Sequence, residues 1–254
     1  MRAAASLACL TLLAACGRST EADAQSALTF SPDLAERFAA LPRVKADSPQ
    51  ARAINARLDL RDALDRESRS ECLAMKPEND NVEWERSVEA PMTGPRFISL
   101  LITTNSYCGG AHGNGEQTSM TFDLSTGETI DWSTMLPQTM ALPRYEATAH
   151  WPQLLRSRSL KVWYGQQASE QRRQDNGEGD CAEVLLGDEP LDAWLDAEKG
   201  GLALRVVGLA YAASACAETV LMSPSELRQR GVAAELVTAI EDAHRDGRWR
   251  RLPH

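Results

Sequence analysis

The chain has 254 residues, of which 27 are Lys or Arg and 36 are Asp or Glu, for a formal net charge of −9. That acidic balance argues against nucleic acid and against anionic lipid headgroups as direct ligands. It suits a basic protein partner, although a charge excess also serves solubility. Beyond the N-terminus no apolar run approaches the roughly twenty residues that a membrane helix needs.

The N-terminus has its own chemistry. Arg2 supplies a positive charge, Ala3 to Leu13 a short apolar stretch, and Leu13-Ala14-Ala15 small residues before Cys16. An apolar stretch of about eleven residues is too short to span a bilayer, so residues 1–15 read as a cleaved signal peptide. Leu-Ala-Ala-Cys resembles the lipobox of bacterial lipoproteins. The resemblance implies acylation of Cys16, palmitate among its acyl chains, and attachment to a membrane facing the periplasm. Gly17 in place of Asp after that cysteine favours sorting to an outer membrane. Residues 16–30 then form the lipidated cysteine and a small, polar tether, and residues 31–254 a single domain.

With Cys9 removed and Cys16 lipidated, Cys72, Cys108, Cys181 and Cys216 remain. An even number in an exported chain reads as two disulfides rather than a metal site, and no CxxC pair is present. Four cysteines allow three connectivities. The pairing expected is Cys72–Cys108 with Cys181–Cys216, each closing a loop of roughly 35 residues and contributing about 3–4 kcal/mol.

Ser48-Pro49 is an N-cap followed by proline at the first helical position. Ile54, Leu58 and then Leu64 or Cys72 form the apolar stripe of the helix that follows. Val82, Trp84, Arg86 and Val88 alternate, as do Phe97, Ser99, Leu101 and Thr103. These predict two adjacent strands joined through Pro91 to Pro95. Pro143 to Leu160 has a helical pattern interrupted at Pro152, and Gln166 to Asp180 is polar and charged, as in a surface loop. Strands are predicted at Leu202–Val207, after a Gly200-Gly201 turn, and at Thr219–Met222. Ser223-Pro224-Ser225-Glu226 is a capping box, and a last amphipathic helix covers about Val232 to His244, with Gly247 just past it. The pattern predicts an α+β fold, a central antiparallel sheet flanked by N-terminal, middle and C-terminal helices.

The segment Asn105 to Asp131, NSYCGGAHGNGEQTSMTFDLSTGETID, is the most distinctive. Four glycines within Gly109–Gly115 surround His112 and give a loop able to take unusual backbone shapes. Alternation through Met120, Phe122 and Leu124 follows, then the Ser125-Thr126-Gly127 turn and Ile130-Asp131-Trp132. This combination, with Ile54-Asn55 in the first helix, resembles the extracytoplasmic domain shared by the lysozyme-sensing anti-sigma factor RsiV and the non-catalytic region of the peptidoglycan deacetylase PdaC. In most of its members that domain has no known function. The resemblance implies an α+β binding domain for a lysozyme-like protein or a peptidoglycan fragment. It implies no deacetylation, because that activity belongs to a separate metal-dependent domain.

The candidate ligand loop is Tyr107, Gly109, Gly110, His112, Gly113 and Asn114. The simplest role for His112 is to pin this loop through neighbouring backbone groups. The alternative is a cell-wall hydrolase using His112 with Asp123 or another carboxylate. No G-x-S-x-G elbow is present, and no HxH or HxxxH spacing suggests a metal, so no catalytic residue, metal or cofactor is assigned. Trp132, Trp151, Trp163, Tyr164 and Trp194 offer sugar-stacking faces, but aromatics at such spacing are usually core.

Overall fold

The computed structural model describes residues 26–75, 82–140, 154–174, 181, 184–185 and 187–251. The expected signal peptide, Cys16, most of the expected tether, His150, Trp151 and Pro152 lie outside these. The fold is α+β with a central antiparallel sheet, as expected, and among the described residues its strands form three antiparallel sheets in all. A small sheet pairs β1 (Leu28–Thr29) with β2 (Arg43–Val44). The main sheet is the predicted meander of β3 (Glu83–Thr93), β4 (Phe97–Tyr107), β5 (Asn114–Asp123) and β6 (Glu128–Thr129), in that spatial order. The third joins β7 (Leu191–Asp196), β8 (Gly201–Val206) and β9 (Thr219–Met222).

Helix α1 (Pro49–Ala74) begins where the sequence places it, with Ser48 Oγ accepting from Ala51 N at 3.1 Å. Ala51, Ile54 and Leu58 pack against one face of the main sheet, built from Val88, Ala90, Ile98, Leu100, Ile102 and Phe122. The stripe then changes character. Leu64 is only partly buried, whereas Arg61, Asp62 and Asp65 are buried. Arg86 of β3 reaches Asp62 and lies 2.6 Å from Asp65, Arg61 lies 2.9 Å from Asp65, and Arg43 closes the chain at 2.7 Å from Asp62. Arg86 also donates to the Ala39 carbonyl and stacks its guanidinium 4.3 Å over Phe38. Desolvating these charges is tolerable only because each has a partner.

On the other side, β7 brings its free edge up to the main sheet. Leu195 N donates to Ser99 Oγ at 3.1 Å, and Ser119 donates through N and Oγ to Asp192 at 2.7 and 2.6 Å. After the single-turn α2 (Trp132–Met135), helix α3 (Arg158–Gln174) and, near the C-terminus, helix α5 (Ala234–Arg245) cover the far face of the third sheet. Leu160, Tyr164 and Ala168 meet Leu204, Val206 and Val220, while Leu236, Ile240 and Ala243 complete that core. Tyr164 Oη donates to the Glu218 carbonyl at 2.6 Å and accepts from Val206 N at 3.2 Å, and burial pushes its pKa up to about 12. Ser223 caps α4 (Pro224–Gln229) in the predicted box with Glu226, and Gly247, at φ +65°, follows α5.

Three expectations need correcting. Residues 166–174 are helical, the second half of α3, because Gln, Glu and Arg are good helix formers on a solvated face and Ala168 extends the buried stripe. The rest of that expected loop, 175–180, and residues 143–153 of the expected helix lie outside the described residues. Pro91 stands inside β3, at the register irregularity between Glu89 and Met92, where a missing N–H costs no ladder bond. Strand β7 was not foreseen, since every one of its residues is buried and no alternation marks it.

Candidate ligand-binding loop

The hairpin β4–β5 carries the candidate residues at its tip. Gly109 and Gly110 take φ of +90° and +112°, so the sharp return there requires residues without a Cβ penalty. Gly113 is needed for a different reason, since a Cβ would stand 3.2 Å from the Ser106 carbonyl. Tyr107 Oη donates to the Gly110 carbonyl at 3.0 Å, tying one side of the loop. On the other, His112 Nδ1 lies 2.9 Å from its neighbour's carbonyl at Gly113. A carbonyl only accepts, so this bond holds a proton on Nδ1 and leaves Nε2 as the acceptor of the neutral ring.

His112 does not stand alone. Its ring stacks on Tyr211 with centroids 4.0 Å apart and planes 11° from parallel. Tyr211 is 57% exposed, so the pair forms an aromatic surface rather than core. Tyr211 opens the short 3-10 helix Tyr211–Cys216. Both ends of the stack are therefore anchored. Cys108 is bonded to Cys72 near the end of α1 and Cys216 to Cys181, with Cα separations of 4.8 and 5.5 Å, the expected pairing in both cases. Beside the stack runs an open groove of about 290 Å³ whose floor includes Tyr107, Asn105, Asn114 and Gly115 and whose wall carries Glu83 and Glu85. Arg37 pairs with both glutamates, at 3.6 Å from Glu83 and closer to Glu85.

The geometry breaks the suggested pairing of His112 with Asp123. Asp123 ends β5 while the loop precedes its start, so roughly 30 Å of extended chain separates them. Asp123 is occupied at the opposite end of the sheet, where its Oδ1 accepts from Ser125 N at 2.8 Å and its Oδ2 faces Arg96 at 3.2 Å. Trp132, Trp163, Tyr164 and Trp194 are buried, which removes them as open stacking faces. Tyr211, Glu83 and Glu85 escaped the sequence reading. Only the expected Cys181–Cys216 bridge hinted that the region of Tyr211 is held in a fixed place.

Among the described residues no helix is long and apolar enough to cross a membrane, and no group of three or more His, Cys, Asp or Glu is placed to hold a metal ion. No family model matches the chain, and no curated protein matches it. Solved structures similar in chain trace include two from the DUF3298 family, a domain of unknown function. One, from Pseudomonas aeruginosa PAO1, is 13% identical with a TM-score of 0.38, the match covering 60% of this chain and 64% of that one. The chain thus spans less than two thirds of that protein's resolved length. The other, from Bacteroides fragilis NCTC 9343, is 12% identical with a TM-score of 0.41, covering 78% of this chain and 75% of that one.

Proposed function

We propose that this is a lipoprotein of the cell envelope, anchored through Cys16 to a membrane facing the periplasm, whose domain acts by binding. The ligand it suits best is a basic, lysozyme-like protein, and the binding element is the loop Tyr107–Asn114 with Tyr211. The observation that carries this reading is the exposed His112–Tyr211 stack, held from both sides by disulfides and flanked by Glu83 and Glu85. A rigid aromatic surface loses little conformational entropy on binding, and acidic neighbours favour a cationic partner. A hydrolase built on His112 has less support, because the hydrogen bond at Nδ1 goes to a backbone carbonyl where a catalytic dyad would place a carboxylate.

Pull-down of lysozyme and of soluble muropeptides by the purified full chain tests the reading, with mass spectrometry of the muropeptides for turnover. Salt-sensitive retention of lysozyme, lost in Tyr211→Ala, is the expected result. Retention of muropeptides alone moves the ligand to peptidoglycan. Muropeptide products that vanish in His112→Ala overturn the binding reading in favour of the hydrolase. Membrane fractionation of Cys16→Ala against wild type tests the anchor.

A further inference from the structure

A second cleft, of about 230 Å³, opens where the third sheet meets the main one. Trp194, Asp196, Glu89, Glu198, Arg251 and Trp249 line it. Trp194 and Asp196 alternate with Ala193 and Leu195, so they share the face of β7 opposite the helix-covered core. The Trp194 ring packs against Leu101 and Ala203 and is 2% exposed, yet its Nε1–H finds no acceptor among the described residues. Buried donors are nearly always satisfied, so an orphan beside an open cleft marks a place where something else supplies the acceptor. Asp196, 6% exposed, accepts at Oδ1 from Lys199 N at 2.8 Å. Glu198 pairs with Arg251 at 2.6 Å, and Glu89 and Asp196 lie within electrostatic reach of the same guanidinium.

The charges of the lining select the ligand. Glu89, Asp196 and Glu198 disfavour a polyanion, while Lys199, Arg250 and Arg251 disfavour a simple cation. The volume is below the roughly 300 Å³ at which clefts for drug-sized molecules begin. A small, net-neutral, dipolar molecule meets all three conditions.

We propose that this cleft binds a small zwitterion, a free amino acid or dipeptide, whose carboxylate accepts from Trp194 Nε1–H while its ammonium group is held by Asp196. The apolar part of the ligand lies against Trp249 and Leu101. Desolvation raises the pKa of the Asp196 carboxyl, and an ammonium partner would pull it back down. The site shares no residue with the loop groove, so it stands or falls independently of the reading above.

The test titrates L-alanine, L-leucine and L-alanyl-L-alanine into the full chain labelled with ¹⁵N-tryptophan. N-acetylated and C-amidated forms of each probe, and inorganic phosphate, serve as controls. The Trp194 indole resonance, identified by its absence in Trp194→Phe, should shift saturably with at least one free zwitterion and with none of the controls. Calorimetry should show Trp194→Phe and Asp196→Asn weakening that ligand about fivefold to tenfold, the fold-change of one hydrogen bond. If Trp194→Phe does not fold, the indole shift in wild type and the Asp196→Asn titration decide the matter. An indole resonance unmoved by every zwitterion, equal shifts with the blocked forms, or weakening by Tyr211→Ala would each overturn the proposal.

Discussion

The two interiors of this molecule are built on opposite terms. Between α1 and the main sheet, an apolar half-interface gives way to the buried chain Arg61–Asp65–Arg86–Asp62–Arg43. Between the third sheet and helices α3 and α5 the contacts are apolar, with Tyr164 as a polar exception satisfied on both sides. The second kind of core stabilises in proportion to the area removed from water, and tolerates changes of shape. The first contributes little net stability, since Coulomb attraction mainly offsets desolvation. It is nevertheless intolerant of losing one partner. It also ties α1 to β3 through Asp62, Asp65 and Arg86, and the same helix carries Cys72 to Cys108, where the ligand loop begins.

Arg86→Met separates these ideas most sharply. It strands Asp62 and Asp65 in the interior without their shared cation, and should cost about 3–5 kcal/mol in urea unfolding. Replacing Arg86, Asp62 and Asp65 together with apolar residues of similar volume should recover most of that loss. If the triple variant is as unstable as the single one, the network contributes stability of its own and the comparison fails. In the other core, Leu204→Ala should cost about 2–5 kcal/mol by cavity formation, with no such rescue by removing a neighbour.

The seam between the sheets combines both behaviours and yields a pH test. Asp192 is 2% exposed, and burial pushes its pKa up to about 6, against the opposing pull of the donors at Ser119 and Ala193. A carboxyl whose folded pKa lies above its unfolded one favours the folded state when protonated. Its contribution is therefore full below about pH 4 and lost as pH rises through about 6, a change of roughly 3 kcal/mol. Unfolding free energies of wild type minus Asp192→Asn, measured from about pH 3 to about pH 8, should fall by that amount. A flat difference would mean the carboxyl remains charged throughout.

What was legible in the sequence divides along the same line. The β3–β4–β5 meander and its glycine loop, the Ser48 cap and the Ser223 box follow from alternation, spacing and capping within a few residues. The disulfide pairing also emerged, although Cys72 sits in the last turn of α1 and meets Cys108 just past β4, a helix-to-strand contact rather than one between neighbouring strands. The buried ions did not emerge, because Arg61, Asp62 and Asp65 look like solvated helix surface until Arg86 is brought opposite them. Strand β7 was hidden because burial on both faces erases its period. Of the site, the loop could be read but Tyr211 could not. Tyr211 lies 99 residues beyond His112, and only the tertiary fold stacks one ring on the other.

The smallest expected effect on stability is therefore the most telling about function. Tyr211 is more than half exposed, and its contact with His112 is a surface stack. Tyr211→Ala should change unfolding free energy by no more than about 0.5–1.5 kcal/mol, the range of one aromatic pair. Local order should change more. Without its stacking partner, His112 keeps only the bond to Gly113, and amide exchange across Gly109–Gly115 should quicken while exchange in β4 and β5 stays as in wild type. A selective loosening of the loop would show that Tyr211 orders the surface rather than the fold. Loss of several kcal/mol, or exchange spreading into both strands, would instead make the stack structural and leave the binding surface without its aromatic centre.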